Sequence, residues 1–169
     1  MPLKKPKSVP EIPKTRKKTA EKLKDNVPLI KKEGIEYHCN FYFAFNPSKK
    51  IQQYAIELET TRLFSVLNYQ LSLASKKTKN VIDISVMGLK STNNYTNEPG
   101  PAIGVVNFGE LYGRHTINII KQDGSINTVV LEFNIFKKSI ELITESVPEK
   151  ENNRKFCTFR IAEEKFTFA

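Results

Sequence analysis

The sequence has few of the residues on which catalysis and metal binding usually depend, and those few are scattered. Its 169 residues include only two histidines and two cysteines. A structural zinc site needs three or four ligands, so nearly all of these residues would have to converge. His38 and Cys39 are adjacent and would point to opposite faces of a strand. We therefore predict no metal site, no cofactor and no enzymatic activity.

Long apolar runs are also missing from the sequence. No stretch approaches the roughly 18 residues that a membrane-spanning helix requires, and the lysines near the start are not followed by the apolar core of a secretion signal. We therefore expect a cytoplasmic protein. In that compartment Cys39 and Cys157 are expected to be buried reduced thiols. A disulfide between the first and last strands is the alternative.

The N-terminal segment lacks aromatic residues altogether. All 17 aromatics lie between Tyr37 and Phe168, and none lies in residues 1–34. That segment carries 11 Lys and Arg against 4 Asp and Glu, a net charge of +7, whereas the rest carries 16 against 14, a net charge of +2. The basic character of the chain therefore belongs mostly to the N-terminus.

These differences in composition divide the chain in two. Residues 1–34 are predicted to form a flexible basic arm, because prolines near its start favour extended backbone. A short helix over residues 15–26 and a small apolar anchor over residues 27–30 are possible within it. Residues 35–169 are predicted to form a single domain, which is long enough to bury a core.

What the body does contain is a series of short alternating segments. In residues 35–45, Cys39, Phe41 and Phe43 share one face, as expected for a half-buried strand. Comparable strands or hairpins are predicted at 53–59, 67–73, 81–89, 102–108, 114–136, 138–144 and 156–161. No helix is long enough to connect parallel strands. We predict an all-β antiparallel β-sandwich, immunoglobulin-like or C2-like in shape, with a barrel of the OB type as the alternative.

Two further patterns are interpreted as structural rather than functional. Gly104 and Gly109 have the spacing of phosphate-loop glycines, but Glu110 stands where the phosphate-binding lysine would be, so we interpret them as turn residues with positive φ. An active site built from scattered residues would draw first on four side chains, namely His38, His115, Glu57 and Glu59. We interpret both histidines as surface residues and both glutamates as lining a solvent-facing strand face.

Basic residues are the remaining candidates for function. In the arm, the predicted partner-binding residues are Lys4, Lys5, Lys7, Lys14, Arg16, Lys17, Lys18, Lys22 and Lys24. A weaker set in the body, at predicted turns and strand ends, comprises Lys49, Lys50, Lys76, Lys77 and Lys79. Lys137 and Lys138 are placed similarly, and these turns would form a positive rim if they met at one end of the fold.

The predicted function is a non-enzymatic binding or structural module, an accessory subunit of an intracellular complex. Its arm would dock on an anionic partner, protein or nucleic acid, or thread into the assembly. A solvated leader or a membrane-surface patch are the other interpretations of the arm. The alternative function is a nucleic-acid-binding barrel without sequence-specific readout. It would need exposed aromatics on a basic face, and Tyr42 is the one aromatic predicted to point outward.

Overall fold

A computed structural model of the chain describes residues 15–31, 34–95 and 98–169. Within these ranges the fold is all-β apart from one short helix and two single 3-10 turns, at Leu23–Asp25 and Glu163–Lys165. The helix is α1 (Thr15–Lys22). The strands are β1 (Tyr37–Asn46), β2 (Ile51–Phe64), β3 (Leu67–Thr78), β4 (Val81–Tyr95), β5 (Gly100–Phe108), β6 (Gly113–Ile120), β7 (Ile126–Asn134), β8 (Ser139–Ser146) and β9 (Cys157–Ile161).

The nine strands form one sheet in the order β8-β7-β6-β4-β3-β5-β2-β1-β9. The sheet is mixed, nearly closed and barrel-like. Its two terminal strands approach each other, and an ion pair of 3.3 Å between Lys155 and Glu145 spans the gap between them. Lys155 precedes β9 and Glu145 belongs to β8, so this ion pair links the two sides of the closure.

The all-β prediction is confirmed, but the prediction of a purely antiparallel sheet is wrong. Three pairs are parallel, namely β1 with β9, β3 with β5 and β4 with β6. The predicted β3–β4 and β6–β7 hairpins do form. Two of the parallel pairs arise because β5 inserts between β2 and β3, and β6 then crosses to the far side of β4. The third arises because β9 returns to the outer edge of β1.

The alternation predicted for the strands sets the core. Cys39, Phe41 and Phe43 of β1 are fully buried, as predicted, and pack with Ile56 and Leu58 of β2. The β5–β6 connection adds a residue that the strand pattern does not include. Leu111 lies in this connection and is buried against the same core, so it closes one end of the interior.

A close approach of two strands explains one glycine. A Cβ at Gly104 of β5 would lie 2.7 Å from the backbone oxygen of Leu71 in β3, so a side chain has no room there. The prediction that Gly104 is a turn residue with positive φ is therefore wrong, and Gly109 lies in a turn as predicted but without a positive φ. Glycine allows the parallel β3 and β5 to meet at the place where the chain order is broken.

Strand directions sort the connections into two ends. The turns 47–50, 79–80, 109–112 and 135–138 lie at one end, with the last residues of β3, and we call this the lysine end. The connections 121–125 and 147–156 lie at the opposite end. Residues 23–31 pack there, so we call it the arm end.

Residues 15–26 form the predicted short helix and a following turn, and this part of the predicted arm packs on the body. Leu23 is buried, and Lys24 forms an ion pair of 2.6 Å with Asp83 of β4. At the arm end the Asn26 side chain donates to the Gln122 carbonyl, and Asn152 donates to the Pro28 carbonyl. The apolar anchor predicted at 27–30 contributes one buried residue, Pro28, while its three aliphatic side chains are exposed.

Candidate functional site

Two hairpin turns at the lysine end have the same construction. In the β1–β2 turn the Asn46 side chain accepts the backbone N–H of Lys49 at 3.1 Å, and in the β7–β8 turn Asn134 accepts that of Lys137 at 3.0 Å. The lysine that follows each of them has positive φ, 52° at Lys50 and 51° at Lys138. Each turn thus presents two adjacent lysines at the same end of the sheet.

The β3–β4 turn repeats the unusual backbone. Lys79 has φ 54°, in the left-handed region that glycine and asparagine adopt most readily. Three turns at one end therefore place lysine where the backbone alone would favour another residue. Left-handed backbone costs an ordinary L-residue about 1 kcal/mol, and each of the three turns has one such residue.

The charges of these turns are not neutralised within the fold. Across the described ranges, the side chains of Lys49, Lys50, Lys79 and Lys137 take part in no ion pair, and all four are exposed. The positive rim, predicted for the case in which the turns meet at one end, is present.

The other predicted body lysines contact neighbouring segments. Lys76 forms an ion pair of 2.8 Å with Glu21 of α1. Lys77 donates a hydrogen bond of 3.1 Å to the Glu110 carbonyl in the β5–β6 connection. Lys138 lies 4.7 Å over the ring of Phe168, so the C-terminal segment supports the β7–β8 turn.

Two exposed aromatic side chains stand beside these lysines, and the sequence pattern did not identify them. Tyr112 in the β5–β6 connection is 65% exposed, and Phe136 in the β7–β8 turn is 86% exposed. Their rings are in edge-to-face contact with centroids 6.2 Å apart. The one signal in the sequence was the position of Tyr112 in a predicted turn, since Phe136 was included in the hairpin predicted at 114–136. Tyr42, the aromatic predicted to point outward, is half-buried and donates a hydrogen bond to Glu57.

The predicted arm residues fall into three groups. Lys4, Lys5, Lys7 and Lys14 lie outside the described residues. Arg16, Lys17 and Lys18 lie in α1, and their side chains are not described. Lys22 ends α1 and is exposed, whereas Lys24 is held by Asp83. Of the arm residues in the predicted site, Lys24 thus forms an ion pair with the body.

The path of the arm links it to the lysine end. Glu21 contacts Lys76 near the end of β3, Lys24 contacts Asp83, and Asn26 reaches the β6–β7 turn. Glu21 and Lys24 thus contact two residues that are directly paired across β3 and β4, and Asn26 lies at the arm end.

Three of the four scattered candidates for catalysis share the outer face of β1 and β2, and His115 lies apart from them. His38 and Glu59 are directly paired across β1 and β2, and His38 contacts Thr158 at 2.6 Å on the outer face. His115 lies inside, in edge-to-face contact with Phe133. The prediction of a surface position is confirmed for His38 and wrong for His115, which shares the inward phase of Ile117. Burial lowers the pKa of His115, favouring the neutral ring.

Glu57 is not on a solvent-facing surface, contrary to our prediction. The 3-10 turn at Glu163–Lys165 covers it, and its carboxylate accepts hydrogen bonds from Asn40, Tyr42 and Lys165. Burial opposes its ionisation, but the hydrogen bonds from Lys165 and Asn40 outweigh that effect and lower its pKa. Burial and the Glu57 charge raise the pKa of Tyr42 to about 12. These groups satisfy one another and attach the C-terminal segment to the sheet.

Cys39 and Cys157 are both buried and unlinked, as predicted. Burial, followed by the hydrogen bond with Cys157, raises the pKa of Cys39 and disfavours the reactive thiolate. In the part of the chain that the structure describes, no group of three or more His, Cys, Asp or Glu side chains is placed to hold a metal ion. The described helix α1 and the 3-10 turns are too short to cross a membrane.

The fold and this end of it define an all-β protein with a basic, partly aromatic rim. The sequence matches no known family model, and comparisons with curated proteins and with solved structures find no match.

Proposed function

We propose that this chain is a non-enzymatic binding module, an accessory subunit that docks on an anionic partner through its lysine end and arm. The supporting observation is the set of lysines in three turns at one end. They have no ion-pair partner in the described ranges, and three turns hold a lysine in left-handed backbone. Backbone strain of this kind is typical of binding positions rather than of turns selected for stability.

The basic arm would strengthen the attraction of the same anionic partner. Glu21 of α1 contacts Lys76 near the β3–β4 turn, and seven basic residues precede it in the sequence, namely Lys4, Lys5, Lys7, Lys14, Arg16, Lys17 and Lys18. Arm and rim would then contribute to one positive field, which raises the association rate with a polyanion and weakens with added salt. The proposal does not depend on whether the fold is a barrel or an immunoglobulin-like or C2-like sandwich. In either case the directions of the strands would bring these turns to one end.

The test measures binding of the full chain to heparin, a generic polyanion, over a range of salt concentrations. The lysine-end variant Lys49→Gln/Lys79→Asn/Lys137→Gln removes three charges at exposed positions. We expect weaker binding and a shallower dependence of affinity on salt, because fewer counterions are released on binding.

A matched control removes three charges from exposed positions away from that end, in Lys31→Gln/Arg62→Gln/Lys90→Gln. Both variants have the same net charge, so the control should retain more of the affinity. Equal losses in the two variants would show that only net charge matters and would contradict a docking surface at the lysine end. Deletion of residues 1–14 should weaken binding further while leaving the packed segment 15–31 in place.

A further inference from the structure

The exposed aromatic pair at the lysine end contributes little to the stability of the fold. Tyr112 and Phe136 come from different connections, β5–β6 and β7–β8, and meet only through their rings. Both rings remain largely in solvent, although burial of large aromatic side chains is strongly favourable. The rings of Tyr112 and Phe136 form a small exposed surface, the platform, at the end of the interior that Leu111 closes.

Cations surround this platform. Lys137 and Lys138 follow Phe136 directly in the turn, and the ammonium of Lys77 is bound to the Glu110 carbonyl, two residues before Tyr112. The neighbouring acidic residues are fewer. Glu132 forms an ion pair of 3.2 Å with Arg114, which leaves Glu110 in the β5–β6 connection and the exposed Glu141, opposite Glu132 in β8, as the acidic side chains beside the platform. The surface therefore combines flat apolar faces with an excess of positive charge.

We infer that the lysine end binds single-stranded nucleic acid, with bases stacking on Tyr112 and Phe136 and phosphates lying along the lysines of the three turns. This inference rests on the proposed function and names the class of anion. Single strands are the polyanions that expose aromatic faces between regularly spaced phosphates, and stacking on protein aromatics tolerates any base. The two arginines that the structure describes at this end are held by carboxylates, Arg114 by Glu132 and Arg160 by Glu164, so neither guanidinium is free to read a base.

Other anionic partners use only part of this surface. A duplex hides its base faces within its own stack, so it could engage the lysines but not the rings. An acidic protein would likewise leave the rings unused. A membrane-inserting loop needs a continuous apolar tip, whereas Phe136 is followed at once by two lysines.

The experiment measures fluorescence anisotropy of a labelled oligothymidylate of about 15 nucleotides with the full chain, starting at about 50 mM salt. The test variant is Tyr112→Ala/Phe136→Ala. Both side chains are exposed, so the thermal unfolding temperature should not change. We expect at least about a tenfold loss of affinity with the salt dependence unchanged, since stacking releases no counterions.

Three comparisons make the result specific. Tyr95→Ala removes an aromatic that is 82% exposed at the opposite end, and it should bind as the unaltered chain does. Tyr112→Phe/Phe136→Tyr keeps both rings and should retain the affinity. Lys49→Gln/Lys79→Asn/Lys137→Gln should instead reduce the salt slope, by about 0.7 for each phosphate of a single strand that the variant no longer neutralises.

Several outcomes would overturn the inference. One is equal affinity for a duplex of the same length, and another is unchanged binding after the rings are removed. A third is that loss of the rings abolishes binding to phosphatidylserine vesicles but not to the oligonucleotide, which would identify a membrane surface instead. Heparin binding without oligonucleotide binding would refute the nucleic-acid assignment and leave the proposed function standing. Loss of both would refute the two together.

Discussion

At the arm end of the sheet the charged side chains bind one another, whereas at the lysine end the lysines of three turns extend into solvent. Lys121 is about 10% exposed and forms ion pairs with Glu36 at 2.8 Å and with Asp123 at 3.3 Å. Arg154 also pairs with Glu36, and Lys150 donates to the Lys24 and Gly124 carbonyls. Lys49 and Lys137, at the other end, donate from their backbone, and their side chains form no ion pair with any residue that the structure describes.

This difference separates two uses of the same residue types. Buried or half-buried charges must be satisfied within the fold, so those at the arm end hold connections and the docked segment in one arrangement. Exposed lysines on tight turns add little to stability and remain free to bind a partner. The arm end is therefore where substitutions should destabilise the protein, and the lysine end is where they should alter binding.

The largest effect is expected from an asparagine at the arm end. Asn127 is buried, its side-chain oxygen accepts the N–H groups of Phe156 and Cys157, and its amide donates to the Arg154 carbonyl. Asn127→Ala should lower the free energy of unfolding by roughly 3 kcal/mol, because buried backbone groups lose their partners. Denaturant unfolding measures this change.

The matched asparagine lies at the lysine end. Asn134 caps the β7–β8 turn through one hydrogen bond to an exposed lysine. Asn134→Ala should cost less than about 1 kcal/mol, since water can replace that bond. Similar costs for the two substitutions would contradict the distinction between the ends.

A glycine in the β6–β7 turn should show the next largest effect. Gly124 has φ 89°, and a Cβ there would lie 2.1 Å from the backbone oxygen of Asn26. Gly124→Ala should destabilise the protein by about 2 kcal/mol and displace the docked segment. Faster tryptic cleavage after Lys31 would report the displacement. Gly109→Ala at the lysine end meets no atom within 4 Å and should leave both properties unchanged.

Acid should weaken the arm end before it affects the lysines. Burial opposes ionisation of Glu36, but hydrogen bonds from Lys121 and Arg154 and the charges of these two residues lower its pKa. Burial likewise opposes ionisation of Asp123, but hydrogen bonds from Ser125 and the charge of Lys121 together lower its pKa. Both folded-state pKa values lie below the ordinary values of 4.5 and 3.8. Their stabilisation is thus complete above those values and is lost as the pH falls through the folded-state pKa.

Hydrogen exchange of residues 23–31 as a function of pH tests this expectation. Protection should decline below about pH 4.5, while the exposed lysines keep their charge throughout that range. Protection that is independent of pH would show that the ion pairs do not hold the segment.

The smallest effect on stability is expected from substitution of the lysines that have left-handed backbone. Unlike the preceding substitutions, this one should stabilise the fold. Lys50→Asn/Lys138→Asn should stabilise the fold by up to about 1 kcal/mol, because asparagine adopts positive φ more readily than lysine does. The same variant should bind heparin less tightly. Thermal unfolding and heparin binding, measured on the same variant, test whether stability rises while affinity falls. A destabilised variant would show that the lysine side chains support the turns.

The sequence pattern located the strands well because alternation reports which face of a single strand is buried. Residues 35–45 correspond to β1, and Cys39, Cys157 and their neighbours lie inside as predicted. His115 was misplaced although its inward phase was visible in Ile117 and Ile119. Glu57 was misplaced for a different reason, since the segment that covers it lies more than 100 residues away in the sequence.

The sequence by itself determined the all-β class, the strand positions, the inward residues and the concentration of charge in the N-terminal arm. These follow from local periodicity and composition, which do not depend on distant contacts. Only the tertiary structure decided the parallel pairs, the burial of Glu57 and the meeting of Tyr112 with Phe136 beside the lysines. Pairing between distant strands sets the direction of each turn, and no local pattern records which turns will share an end.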